Sequence, residues 1–331
     1  MKALRVHNLG EPKDVLKLEE VPVPEPAPGQ IVVRVLATAV NFPDALMCRG
    51  LYQEKPPLPF TPGVELCGEV VALGEGVTTV TEGDRVIGSP VLPYGSFAEY
   101  APMDISRVFP APPSLSDTEA AALFIGYQTG WFALHRRAGL QAGETVLVHA
   151  AAGGVGSAAV QLAKAAGACV IGVVGGAAKA EYARKLGADI VVDRYVDDFV
   201  SVVKEATDGR GADVIYDPVG GESYTRSTKC IAFEGRILII GFASGTIPTP
   251  GLNHALVKNY SLLGLHWGLY NKRNPALVAH CHEELTALAE RGAIKPAVSE
   301  VLSLEELPDG VQRLADGTTV GRLVATPHGA Q

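Results

Sequence analysis

The hydrophobic positions of residues 145–176, TVLVHAAAGGVGSAAVQLAKAAGACVIGVVGG, change period twice. Residues 145–150 form a short apolar, β-branched run, the pattern of a strand covered on both faces of a parallel sheet. Gly153, Gly154 and Gly156 interrupt it. Ala158, Val160, Gln161, Leu162, Ala163 and Ala166 then repeat at helical spacing until Gly167, and strand character resumes over Cys169–Val174. The rhythm continues as strand Ile190–Asp193, helix 197–207, strand 213–216, helix 224–231, strand 236–240 and strand 261–265. Strands separated by helices predict an α/β domain with a doubly wound parallel sheet of the Rossmann kind.

The first 115 residues have a different texture: short apolar runs broken by Gly and Pro, the habit of a mostly β domain. Strands are predicted over 16–21, 31–40, 64–73 and 85–87, a Pro-rich link over 23–29, a constrained loop over 56–63 and a hairpin arm over 94–100. Ser116 and Glu119 have the spacing of a capping box, so a helix starts there, and 126–137 continues as helix. Residues 274–291 are amphipathic, and 321–326 form a closing strand that has no place in a filled nucleotide sheet. The expected division is 1–122 and 269–331 for a discontinuous catalytic domain, with 123–268 as the nucleotide-binding domain.

A strand, a glycine turn and a helix N-terminus suit a pyrophosphate, because the backbone can approach closely and amide N–H groups face the charge. In the G-x-G-x-x-G pattern Ala151 stands first, with Gly153 and Gly156 second and third. An acid after the second strand would hold the ribose hydroxyls of NAD, but Val173, Val174, Gly175 and Gly176 supply none. Lys179 and Arg194 follow instead. Two cations suit a 2′-phosphate, so the expected cofactor is NADPH, favoured over NADH about a hundredfold if the contacts together contribute roughly 3 kcal/mol.

Composition narrows the function further. A formal charge of −8 makes nucleic acid and anionic membrane unlikely partners. The opening MKALRVHNLG has neither a signal-peptide core nor transit-peptide character, and five cysteines without CxxC spacing suit reduced thiols, so a cytoplasmic location is expected. His280, Cys281 and His282 are consecutive, and on a helix they point about 100° apart, so no shared metal ion is expected. Ligands of such a fold lie at the carboxyl ends of the strands, in the cleft against the second domain. Asn41, Asp44, Tyr52, Thr129, Phe242 and Trp267 are the candidates there. Each has a plainer reading: Asp44 can cap a helix starting at Pro43, Tyr52 can be a loop aromatic and Trp267 can be core.

These residues, with NFPD at 41–44, RGLY at 49–52, PGVELCGEVVALGEGV at 62–77, GDRV at 83–86, GSFAEY at 95–100, HAAAGGVG at 149–156, QLAK at 161–164, DPVGG at 217–221 and GFASG at 241–245, carry a resemblance over nearly the whole chain. The chain resembles the zinc-independent medium-chain dehydrogenase/reductases, in particular the NADPH:quinone oxidoreductase or zeta-crystallin-like branch. The resemblance implies a GroES-like catalytic domain beside the Rossmann domain and a homodimer through the Rossmann sheet edges. It also implies contacts to the carboxamide from Thr129, to the pyrophosphate from Gly153, Gly154 and Val155, to the nicotinamide ribose region from Phe242, Ala243 and Ser244, and to the 2′-phosphate from Lys179. Gly175, Trp267 and Arg322 complete the expected cofactor set, and either Arg194 or Tyr195 reaches the phosphate.

Zinc-dependent relatives carry Cys near position 41 and Gly-His-Glu at 63–65, whereas here stand Asn41 and Gly63, Val64 and Glu65. The expectation is hydride transfer without metal to a quinone. Tyr52 would be the hydrogen-bond donor or substrate clamp, Asn41 would hold the nicotinamide side and Asp44 would orient neighbours. A reductase of α,β-unsaturated carbonyls on the same scaffold is the first alternative. A non-catalytic NADPH-binding or RNA-binding protein is the second.

Overall fold

The computed structural model describes residues 1–329. The chain divides into two compact units, Gly126–Lys295 and Met1–Ile125 with the chain from Pro296 on. Gly126–Lys295 is built on six strands, β1 (Thr145–His149), β2 (Cys169–Val174), β3 (Ile190–Asp193), β4 (Ala212–Asp217), β5 (Ile231–Ile239) and β6 (Ser261–Gly264), in the order 6-5-4-1-2-3. All neighbours pair in parallel. This is the strand order of the Rossmann sheet, whose reversal beside β1 creates the crevice for a ligand. Every residue of β1 is buried, as its continuous apolar run requires. Leu147, Ile171, Val203, Ile215 and Ile237 share one core cluster.

Two expected elements shift. The helix expected over 224–231 is Gly221–Ser227, because Gly220 and Gly221 take φ of +70° and +54° and let the helix start early. The strand expected from 236 begins at Ile231. The helix expected over 126–137 is α-helical over Phe124–Trp131 and π-helical over Phe132–Arg137, where the Ala138 N–H reaches the Ala133 carbonyl at 2.9 Å. Its run of apolar residues carries no periodic mark of that change in pitch.

The other unit centres on strand Gln30–Ala39, which pairs antiparallel with Leu66–Leu73, Tyr100–Pro110 and Arg322–Ala325. Since Arg85–Pro90 joins Leu66–Leu73 to Tyr100–Pro110, these four strands close on one another. The hairpin arm expected at 94–100 is corrected: residues 94–99 are bends with isolated bridges at Tyr94 and Ala98, and the strand is Tyr100–Pro110. Val298–Leu302 and Arg322–Ala325 extend the sheet, so the closing strand does return to this unit.

The expected boundaries move to 125/126 and 295/296. Residues 269–295 stay with the unit of the parallel sheet, where helix Pro275–Glu290 buries Val278, Cys281 and Leu285. Glu284 accepts a hydrogen bond from the Trp131 indole at 2.6 Å, and Gln161 bonds the Lys295 carbonyl. Ala330 and Gln331 of the expected return segment lie outside the described residues.

Candidate cofactor and active site

The glycine turn after β1 is shaped by close backbone approach. A Cβ on Gly156 would come to 2.1 Å from the Ala150 carbonyl oxygen, and Ala150 itself takes φ of +50°. Ala151, in the first fingerprint position, is accommodated by Gly172 on β2, whose Cβ would lie 3.0 Å from that of Ala151. Gly153 caps helix Gly154–Ala165 with no side-chain hydrogen bond, so the first-turn amides of Gly154, Val155 and Gly156 are left for a ligand. Gly156→Ala is expected to abolish dinucleotide binding and to lower the thermal midpoint. Unchanged binding in a titration of the purified variant would show that this turn is not the pyrophosphate cradle.

At the ends of β2 and β3, Gly175 brings two expected residues together: its Cβ would sit 3.1 Å from Arg194 Nε and 3.2 Å from the Tyr195 ring. Arg194 lies 5.2 Å from the centroid of that ring and donates to the Tyr195 hydroxyl at 3.4 Å. This bond lowers the Tyr195 pKa. Lys179 has its pKa lowered by burial and then by Arg194. Two cations held so close form a corner of positive potential, which suits a phosphate.

A carboxylate that sequence reasoning missed stands beside them. Asp193 is in register with Val174 and accepts from the amides of Gly176 at 2.9 Å and Tyr195 at 3.1 Å. It is the last residue of β3, where the signal was visible, but the acid was sought only after β2. Its oxygen Oδ1 is occupied by these amides and its charge is opposed by Arg194, so it does not turn the corner acidic.

The DPVGG and GFASG motifs meet at the ends of β4 and β5. Asp217 Oδ1 accepts from the amides of Val219 and Gly220, and the amides of Ala243 and Ser244 donate to the carbonyls of Pro218 and Val219 at 3.0 Å. Phe242 is half-exposed beside Gly220. Thr129 lies on the helix whose Gly130 allows close packing on Gly154–Ala165, where a Cβ would meet Leu162 at 2.7 Å. Trp267 is half-buried and donates its indole N–H to Gln128 Oε1 at 2.9 Å. Open first-turn amides, a Cβ-free cradle and a cationic corner on one sheet fit a phosphorylated dinucleotide.

In the other unit, strand Gln30–Ala39 delivers Asn41 to the start of helix Phe42–Cys48. Asp44 caps that helix: Oδ2 accepts from the Asn41 amide at 2.7 Å and Oδ1 from the Gly63 amide at 3.0 Å. The Asn41 side chain donates to Glu65 Oε1 at 2.9 Å and to the Ala39 carbonyl at 3.1 Å, and it accepts from Arg322 Nη1 at 2.9 Å. Arg322 also pairs with Glu65, whose other oxygen takes the Ile125 amide at 2.7 Å. All four residues are buried. Arg322, expected at the cofactor, and the Asn41 amide, expected at the nicotinamide, are thus committed to Glu65, a residue to which sequence reasoning gave no role.

Burial pushes the Asp44 carboxyl up to about 7 against the pull of both amides and of Arg322. Tyr52 packs half-buried on the adjoining core, and burial pushes its phenol up to about 12. It therefore remains a protonated donor across the neutral range. Among the described residues no group of three or more His, Cys, Asp or Glu is arranged to hold a metal ion, and no helix is long and apolar enough to cross a membrane.

A family described as "Alcohol dehydrogenase GroES-like domain" matches residues 27–113, and one described as "Zinc-binding dehydrogenase" matches residues 154–283. The chain is 39% identical over 328 residues to a quinone oxidoreductase-like protein 2 homolog of Nematostella vectensis, covering 98% of this chain and 88% of that one. The structure of an Escherichia coli quinone oxidoreductase complexed with NADPH superposes with a TM-score of 0.91 at 31% identity, covering 99% of this chain and 100% of that one. One titled as an NAD-dependent alcohol dehydrogenase gives 0.86 at 32% identity, covering 99% and 100%. With a Rossmann sheet carrying a phosphate-ready turn and a GroES-like unit, the chain is an oxidoreductase of the medium-chain dehydrogenase/reductase superfamily and belongs to its quinone oxidoreductase family.

Proposed function

We propose that the protein is an NADPH-dependent quinone reductase that works without a metal ion. The observation that carries this reading is the Lys179, Arg194 and Tyr195 corner beside Gly175, where two cations stand close together. Lys179 and Arg194 bind the 2′-phosphate, with the Tyr195 ring stacked on the guanidinium. The amides of Gly154, Val155 and Gly156 receive the pyrophosphate, Thr129 the carboxamide, and Phe242, Ala243 and Ser244 the nicotinamide ribose. NADPH, when bound, supplies the hydride.

A quinone oxygen that gains charge as the hydride arrives needs a donor, and Tyr52, neutral at physiological pH, is suited to be one. Solvent then provides the proton. Asn41 and Arg322 act at a distance, by fixing the start of helix Phe42–Cys48. Tyr52→Phe is expected to lower kcat for a quinone roughly a hundredfold at unchanged NADPH affinity. In the wild type no alkaline loss of rate from Tyr52 should occur below about pH 11, because the phenol ionises near 12. An unaltered kcat in the phenylalanine variant excludes the donor role.

Two copies pairing along the β6 edges is supported by the exposed apolar residues Ile247, Leu252, Leu256 and Val257 in the chain that leads into that edge strand. The substrate class is tested by offering the purified protein NADPH with 1,4-benzoquinone and, in parallel, with a simple enone. Quinone-dependent NADPH loss is expected. Turnover of the enone alone would reassign the substrate, and binding without turnover of either would make the protein a non-catalytic NADPH binder.

A further inference from the structure

Gln128 is fully buried on helix Phe124–Trp131 and has one hydrogen-bonding end occupied. The Trp267 indole can only donate, so the Gln128 atom that meets it at 2.9 Å must be the oxygen. The amide orientation is thereby fixed, and Nε2 is the other end. That nitrogen carries two N–H groups, is sealed from solvent and has no acceptor among the described residues. Leaving a buried donor unmet costs about 1–3 kcal/mol, which an apolar side chain of similar size would avoid. A glutamine kept at such a position points to an acceptor that arrives with a ligand.

The surroundings identify that acceptor. Gly126 of the same helix packs against Gly154, with its Cβ position 3.5 Å from the Gly154 carbonyl oxygen, so the helix lies along the first turn of the glycine-loop helix. Thr129, the next residue, is the carboxamide contact in the reading above. An acceptor there is a neutral carbonyl rather than a phosphate, since Gln128 brings no charge and burial would penalise an unpaired anion.

We propose that Gln128, anchored through its oxygen by Trp267, donates from Nε2 to the carboxamide oxygen of the nicotinamide ring. This rests on the NADPH reading. Trp267 then serves to hold the Gln128 amide in the one orientation that presents its donors.

The test compares binding of NADPH with that of 2′,5′-ADP, which carries the phosphorylated adenosine but no nicotinamide. Gln128→Leu and the nearly isosteric Gln128→Met are each expected to weaken NADPH about 5-fold to 20-fold while 2′,5′-ADP stays within about twofold of the wild type. Two variants are used so that poor folding of one leaves the other. NADPH affinity within about twofold of the wild type in either folded variant overturns the proposal, and so does an equal loss of both ligands. A wild-type protein that binds 2′,5′-ADP no better than 5′-AMP would refute the NADPH reading itself and this proposal with it.

Discussion

Arg322→Ala is expected to destabilise the protein by about 3–5 kcal/mol, because it strips the counter-charge from a fully buried Glu65 and removes the donor to Asn41 Oδ1. The penalty comes from the stranded carboxylate more than from lost attraction. The double variant Glu65→Gln with Arg322→Met, which leaves no net charge to bury, should therefore recover much of the loss. Urea unfolding of the three proteins measures this directly. The single variant should also respond to pH. The folded Asp44 pKa, about 7, lies above the unfolded value of roughly 3.9. Its stability contribution is therefore present below about pH 4 and is lost as pH rises through 7. Arg322 is one of the groups holding that pKa down, so removing it should extend the loss to pH values above about 7. A variant within about 1 kcal/mol of wild type at every pH would mean that the buried pair is structurally dispensable.

The second large effect concerns cofactor choice. Lys179→Ala and Arg194→Ala should each raise the KM for NADPH about tenfold, as loss of one charge-assisted contact predicts, and the pair about a hundredfold. NADH, lacking the phosphate, should be affected little or bind slightly better. Steady-state kinetics with a fixed quinone separate these outcomes. Equal losses for both cofactors would place the two cations in general structural support, and no loss in either would remove them from the site.

Elements with strong local periodicity were legible from the sequence. β1, the glycine turn, the helix after it and β2 follow from a pattern contained in about thirty residues, and the order of the sheet follows from the alternation beyond them. The proximity of Lys179, Arg194 and Tyr195 was partly legible for the same reason: all three follow strand ends. What stayed hidden is set by distance along the chain. Arg322 and Glu65 are 257 residues apart and Gln128 and Trp267 139 apart, so no local pattern joins them. A signal did exist at the first pair. Glu65 directly precedes strand Leu66–Leu73 and Arg322 heads strand Arg322–Ala325, and a buried charge at such a place needs a partner. Asp193 was visible as the last residue of β3, but its register with Val174, which brings it to the end of β2, only the folded sheet reveals. The π-helical stretch and the placement of residues 269–295 were invisible because packing, not period, decides them.

The most direct measurement is kcat/KM for NADPH against NADH with one quinone acceptor. The arrangement of Lys179, Arg194 and the open glycine turn predicts rapid quinone-dependent oxidation of NADPH and a preference of roughly a hundredfold over NADH. Equal use of both cofactors, or a preference for NADH, would contradict the phosphate corner, and an absence of quinone-dependent oxidation with either would contradict the reductase.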